Sequence, residues 1–227
     1  MSVAEHLGIE TREYDQQILT FIPFYEEILN QAAAALDALA RPARILVDLG
    51  IGTGALAAGC AAQLKAAEVV GIDSDPQMLA MAAKRLGRRL RPVVANFETA
   101  PIPRCDVVTA AFSLHHIDAP SAKRQAFAKV FRALRPGGLF VIADCMTASS
   151  PRLQARDVAD WQGHLAARHG RARAVKFLSA WAAEDTYFTL EQEMAWLRAA
   201  GFRVDLTWRK SAFAVIAASK PRLGSRH

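Results

Sequence analysis

Residues 45–54 read Ile45-Leu46-Val47-Asp48-Leu49-Gly50-Ile51-Gly52-Thr53-Gly54, an apolar run, an acid and three alternating glycines. A continuous apolar stretch suits a strand buried on both faces, as in a parallel sheet covered by helices on either side. The glycines let the chain turn sharply and approach a ligand without Cβ clashes. Ala55 to Lys65 then continues as a helix, whose free N–H groups would face that ligand. A second apolar strand, Val69-Val70-Gly71-Ile72-Asp73, ends in an acid 23 residues past Gly50. That spacing places Asp73 to bind the ribose hydroxyls of a nucleotide-like cofactor.

Gly50, Gly52 and Ala55 also satisfy the dinucleotide pattern G-x-G-x-x-A, so a redox dinucleotide is the competing ligand. Three features weigh against it. Asp48 would repel a pyrophosphate but suits the ammonium of an amino-acid moiety. Gly54 extends the pattern to D-x-G-x-G-T-G. Tyr14, Tyr25 and Tyr187 are followed four residues on by Ile18, Leu29 and Glu191, so no Tyr-x-x-x-Lys pair occurs. Downstream, Leu134-Arg135-Pro136-Gly137-Gly138 ends an amphipathic helix and leads into an apolar strand over 139–143.

Together with the strand near Asp106, these segments resemble class I S-adenosylmethionine-dependent methyltransferases over roughly residues 14 to 218. The resemblance implies an α/β, doubly wound, mostly parallel seven-stranded sheet in the order 3-2-1-4-5-7-6, with S-adenosyl-L-methionine as cofactor. One domain over 1–218 is expected, with an N-terminal helical lid at 1–40, a helical cap insertion at 145–188 and a basic tail at 219–227. The Tyr14-Asp15 start, Ile22-Pro23-Phe24-Tyr25 and residues 189–215 are distantly similar to carboxy-S-adenosylmethionine synthases. Trp196 stands where those enzymes have an Arg, which disfavours carboxyl transfer.

Open parallel sheets bind ligands beyond the C-terminal strand ends, where strand order reverses. The expected cofactor contacts there are Asp48, Gly50, Gly52, Thr53, Gly54, Asp73, Ser74, Met78, Asn96, Phe97, Phe112 and Ser113. Met78 would pack on the adenine, and Asn96 occupies a place where the superfamily often has an acid. For Met78 and Phe97, ordinary core packing is an equal alternative. A sulfonium carries its methyl already activated, so a general base is needed only if the nucleophile holds its proton. His116 and His115, which titrate near neutrality and follow the fourth strand, are the candidate bases, with His116 ahead. Tyr14 is a third candidate for catalysis or for covering the sulfonium. Trp181, Asp185, Tyr187 and Trp208 are candidates for the acceptor side.

Further elements follow from local signals. Residues 14–39 read as helical, and Asp75-Pro76 as an N-cap followed by Pro at N1. Residues 92–95 and 106–112 read as strands. Thr189 with Gln192 forms a capping box, and Gly201 closes that last helix. Residues 202–207 and 212–218 pair as a closing hairpin.

Hydrophobic residues make up 52% of the 227, yet no apolar run reaches the roughly 20 residues that span a bilayer. The polar start, without a signal peptide's basic and apolar regions, points to the cytoplasm, with no membrane partner. Cys60, Cys105 and Cys145, odd in number and in apolar surroundings, read as reduced core residues rather than disulfide or metal ligands, and no metal is expected. The net charge of +6 is spread between the tail, a helix end at Lys84 to Arg91, and an acid-free patch with Arg168, Arg171, Arg173 and Lys176. With few aromatics interleaved, that patch reads as a solvated surface, so nucleic acid is an unlikely partner. No Asn/Asp-Pro-Pro-Tyr segment follows the fourth strand, and there is no Pro-Cys nucleophile. The expected acceptor is therefore a small molecule, methylated by direct in-line displacement. Two alternatives stay open: an RNA or protein methyltransferase docking through residues 164–176, and a non-catalytic adenosyl-binding module. Acceptor identity, the atom methylated and oligomeric state are not legible.

Overall fold

Strand β1 (Ile45–Leu49) buries both of its faces, which is why its sequence is continuously apolar rather than alternating. Leu46 belongs to one hydrophobic cluster, with Val69, Val107 and Val141 of neighbouring strands. Val47 and Leu49 belong to the cluster on the other side, with Val70, Val108 and Phe140. The computed structural model describes residues 13–65 and 67–222. The expected polar start at 1–12 and the last five residues of the expected tail lie outside them.

In chain order the elements are helices α1 (Tyr14–Phe21) and α2 (Tyr25–Ala34), β1, α3 (Ala55–Gln63), β2 (Glu68–Asp73), α4 (Pro76–Leu86), β3 (Leu90–Val94), β4 (Cys105–Ala111), α5 (Pro120–Ala133), β5 (Leu134–Cys145), α6 (Pro151–His169), α7 (Arg171–Glu184), α8 (Leu190–Ala199), β6 (Arg203–Lys210) and β7 (Phe213–Ser219). The seven strands form one sheet in the order β3-β2-β1-β4-β5-β7-β6, as expected. Strand pairs from β3 through β5 are parallel, and β7 runs antiparallel to both β5 and β6. The order reverses between β1 and β4, and the open crevice at their C-terminal ends is where this architecture binds ligands.

Most local signals hold. Asp75 accepts a hydrogen bond from the backbone N–H of Gln77 and Pro76 opens α4. The Thr189–Gln192 capping box is complete, and Gly201 follows α8 at φ 106°. Residues 151–184 of the expected cap are helical, with Trp161 and Trp181 turned inward and buried.

Three expectations need correction. The single helix expected over 14–39 is broken at Ile22–Phe24. Ile22 precedes Pro23 and is extended, as proline requires of its neighbour, and Phe24 takes a left-handed φ of 62° before α2 begins. The β5 strand starts at Leu134, not near Leu139, because Arg135 bonds Asp106 at 3.1 Å and draws the segment alongside β4. The basic tail does not begin at 219. Ser219 pairs with Leu139, and Lys220 extends the pairing through Gly137 and Gly138 while its Nζ donates to the carbonyls of Phe131 (2.6 Å) and Leu134 (2.8 Å).

Candidate active site

The glycine turn after β1 holds Gly50, Gly52 and Gly54 at φ 67°, 53° and 78°. A Cβ on Gly50 would lie 2.6 Å from the Cβ of Ser113, so the turn and the loop after β4 pack backbone against side chain. Around Gly52 there is nothing within 4 Å of a would-be Cβ, and the residue borders a cavity of about 560 Å³. Asp73, at the end of β2, fastens this turn: Oδ2 accepts from Gly52 N at 2.8 Å and Oδ1 from Asp75 N at 2.9 Å. Each carboxylate oxygen keeps a second lone pair for a ribose hydroxyl.

Eleven of the twelve expected cofactor contacts line this cavity from four strand ends: Asp48, Gly50, Gly52, Thr53, Asp73, Ser74, Met78, Asn96, Phe97, Phe112 and Ser113. Gly54 does not and instead packs toward Ala82 on α4. Several side chains are already engaged. Ser113 donates its hydroxyl to Leu49 O at 2.8 Å. Asn96 caps its own turn by accepting from Glu98 N at 2.8 Å. Thr53 donates to Asp15 on α1 at 2.6 Å, and Arg85 on α4 donates to both the carbonyl (2.6 Å) and the hydroxyl (2.8 Å) of Thr53. Asp15, just after Tyr14, thus ties the N-terminal helix to the glycine turn.

The cavity suits a cation. Asp48, Asp73, Asp75, Glu98, Glu184 and Asp185 line it, with no Lys or Arg among the described lining residues. Burial pushes the carboxyl of Asp48 up to about 7, opposed by a 2.8 Å hydrogen bond from Thr109 and assisted by the charge of Asp73. A positively charged sulfonium or ammonium beside it would restore its ionised form. The residues present therefore fit S-adenosylmethionine better than a dianionic pyrophosphate.

A smaller cavity, about 50 Å³, adjoins it. Tyr14, Phe112, His116 and Asp185 line both. Phe112 reaches this junction from a left-handed backbone (φ 50°), its ring stacked on Tyr25 at 5.5 Å. Burial holds the Tyr14 hydroxyl well above its ordinary value, so it stays protonated. The two histidines follow β4 in a short turn. His115 Nδ1 lies 2.6 Å from Asp144 Oδ1. His116 Nδ1 lies 3.1 Å from Asp185 Oδ1, and Tyr187 donates to Asp185 Oδ2 at 2.7 Å. Burial alone would lower the His115 imidazole, but the charge and hydrogen bond of Asp144, with Asp185 beyond, raise it. The turn is tethered from behind by buried Lys123, which donates to Leu114 O at 2.7 Å and pairs with buried Glu193 at 3.0 Å. One ligand atom from each of His115, His116 and Asp185 lies within 4.8 Å of the others, a geometry able to hold a metal ion, with His115 Nε2 and His116 Nδ1 4.0 Å and 3.1 Å from Asp185 Oδ1.

Of the acceptor-side candidates, Trp181, Asp185 and Tyr187 line the smaller cavity. Trp208 lines neither; its Nε1 donates to Glu27 on α2 at 3.1 Å. Trp196 packs edge-on against Phe188 at 4.8 Å and also lines neither cavity. Sequence reasoning missed Asp144, although it stands at the C-terminal end of β5 on the ligand edge, where such a residue is worth weighing. Lys123 gave no signal, being one lysine on an amphipathic helix. Arg168, Arg171, Arg173 and Lys176 are exposed, facing away from the buried Trp161 and Trp181. No helix among the described residues is long and apolar enough to cross a membrane.

Sheet order, glycine turn and acid-lined crevice define an α/β protein built to hold an adenosyl cation. A methyltransferase-domain family model matches residues 46–138. Trans-aconitate 2-methyltransferase of Methylobacterium nodulans is 32% identical over 205 residues, covering 86% of this chain and 71% of that protein. The demethylmenaquinone methyltransferase of Deinococcus radiodurans is 33% identical over 119 residues, 49% of this chain. The chain spans about half the length of that relative (47%). Human N-acetylserotonin methyltransferase, solved in complex with SAM, shares the fold with a TM-score of 0.61 at 18% identity, covering 97% of this chain and 62% of that one. The chain belongs to the class I S-adenosylmethionine-dependent methyltransferases, and S-adenosylmethionine is its cofactor.

Proposed function

We propose that the protein transfers a methyl group from S-adenosylmethionine to a small-molecule acceptor by direct in-line displacement, with His116 receiving the acceptor's proton. The observation that carries this reading is the junction: Tyr14, Phe112, His116 and Asp185 border both the cofactor-sized cavity and the chamber beside it. The relatives named for trans-aconitate and demethylmenaquinone support a small acceptor.

When bound, the cofactor supplies a methyl already activated on a positive sulfur. The protein's task is placement. Asp73 and the glycine turn hold the ribose end, Asp48 the ammonium, and Phe112 with Tyr14 excludes water at the junction. Holding nucleophile and methyl at near-attack distance contributes roughly 7–11 kcal/mol. His116 Nδ1 lies 3.1 Å from Asp185 Oδ1, so we assign its own proton there and the acceptor's proton to Nε2. His115, its imidazole raised by the charge and hydrogen bond of Asp144, orients Asp185 rather than acting as base. Tyr14, its hydroxyl proton retained, covers the sulfonium with its oxygen lone pairs turned toward the positive charge.

Incubation with methyl-labelled cofactor and a small-molecule extract should move label into that fraction. His116→Ala should lower turnover about 100-fold or more, with unchanged affinity for S-adenosylhomocysteine by calorimetry. Full activity in that variant would remove His116 from the mechanism.

A further inference from the structure

Resting on that methyl-transfer reading, we infer that Lys123 and Glu193 are positioning residues: the buried pair they form behind the site holds the turn that carries both histidines. Neither residue lines either cavity, so each acts only through its neighbours. Lys123 lies in the opening turn of α5 and Glu193 in that of α8, with side chains 2% and 5% exposed. Stability does not account for the pair. Burying it strips the hydration from both charges, and apolar residues of similar volume often serve a fold as well or better. A cation in the opening turn of a helix also opposes the macrodipole. Among the described residues, Glu193 Oε2 is buried with no hydrogen-bond partner, so the acid is only half satisfied.

What the pair accomplishes is local. Lys123 Nζ donates to the carbonyl of Leu114 at 2.7 Å, and Glu193 Oε1, 3.0 Å away, fixes the ammonium there. Leu114 is thereby clamped on both sides, because its N–H donates to Asp144 Oδ2 at 3.0 Å. The next residue, His115, sets Nδ1 2.6 Å from Oδ1 of the same carboxylate, which Cys145 N also holds at 2.8 Å. Facing an ionised carboxylate, that ring nitrogen is the donor. The carbonyl of His115 accepts from Thr186 N at 2.9 Å, which joins the turn to the segment that carries Tyr187 into the smaller cavity. A shift at Leu114 O therefore displaces His115, its bond to Asp144 and the following His116 together. Misplacement by about 1 Å can slow a reaction about 100-fold, so loss of the clamp is felt in turnover before it is felt in the fold. Leu114 O also accepts from Ile117 N at 3.1 Å, so removing the ammonium does not strand it.

The test replaces both members, Lys123→Met with Glu193→Leu, because Lys123→Met alone leaves a buried carboxylate unpaired. The double variant should keep a denaturant midpoint at or above wild type and its S-adenosylhomocysteine affinity, while transfer of labelled methyl into a small-molecule extract slows about tenfold or more. Glu193→Gln, whose amide oxygen still accepts from Lys123, should keep most of the transfer. In spectra of protein carrying nitrogen-labelled histidine, the ring proton between His115 and Asp144 is assigned by its loss in His115→Asn. That proton should shift or be lost to exchange in the double variant and stay in place in Glu193→Gln. Wild-type transfer in the double variant or an unmoved ring proton would overturn the inference. So would failure of the double variant to fold, or a loss of transfer matched by equal losses of midpoint and cofactor affinity, since either would make the pair structural. If the unmodified protein transfers no label at all, the methyl-transfer reading falls instead, and the ring proton still decides whether the pair holds the turn.

Discussion

Asp48 serves two opposed demands. It sits at the end of a buried strand, where water cannot stabilise its charge, and its carboxyl is pushed up to about 7. The unfolded chain would release that proton near pH 4. The group therefore favours folding fully only at acid pH, and that contribution is lost as pH rises through 7. A cationic cofactor reverses the preference, since it draws the carboxylate into its ionised form. Asp48→Asn keeps the shape and can still accept the Thr109 hydrogen bond, but never ionises. The ligand-free variant should melt above wild type at pH 8, by roughly 1–4 kcal/mol of stability, and the wild-type decline between about pH 4 and 7 should flatten. Its S-adenosylhomocysteine affinity should fall tenfold or more. Scanning calorimetry across pH checks the first outcome and titration calorimetry the second. An unchanged pH slope would show that Asp48 is not the titrating group.

At the scale of the element, the glycine turn separates fold from function at adjacent positions. Gly50 has no room for a side chain against Ser113, whereas Gly52 has room because its open side is the large cavity proposed for the cofactor. Gly52→Ala should cost about 1–2 kcal/mol of stability through its left-handed φ, yet lower cofactor affinity by far more, because the methyl enters the ligand's volume. A denaturant midpoint near wild type together with a cofactor Kd raised at least 30-fold is the expected pair. Equal, small effects on both would place the ligand elsewhere.

The elements legible from sequence were those whose signals are local. The double-sided burial of β1, the Asp75 and Thr189 caps and the Gly201 stop each follow from a few adjacent residues. What escaped depends on residues far apart in the chain. Arg135 bonds Asp106 across 29 positions and pulls β5 to an earlier start, Asp144 meets His115 and Asp185 meets His116 only once strands and cap are assembled, and the two Trp on the acceptor side cannot be told from Trp208 by composition. The break at Pro23 is local, since a proline forces the residue before it, Ile22, into the extended form.

Across the whole molecule, the cavity proposed for the cofactor is closed by pieces that belong to different layers. Helix α1 contributes Tyr14 to the wall and, through Asp15, clasps Thr53 and Arg85. Asp15 itself is not among the cavity-lining residues. Ligand binding should therefore stabilise more than the crevice, because the turn, α1 and α4 share one hydrogen-bonded clasp. At 100 times its Kd, S-adenosylhomocysteine adds about 2.7 kcal/mol, which for a chain of this size raises the melting temperature by about 5–10 °C. Asp15→Ala removes the acceptor of the Thr53 hydroxyl and of one Arg85 nitrogen, at about 1–3 kcal/mol. Its melting shift at the same ligand concentration should shrink by half or more, although no atom of Asp15 faces the ligand. His116→Ala, which removes a group at the junction but none of the clasp, should keep the full shift. Thermal melts of the three proteins with and without ligand read the difference directly, and an undiminished shift in Asp15→Ala would show that α1 closes the cavity without sharing in the grip on the cofactor.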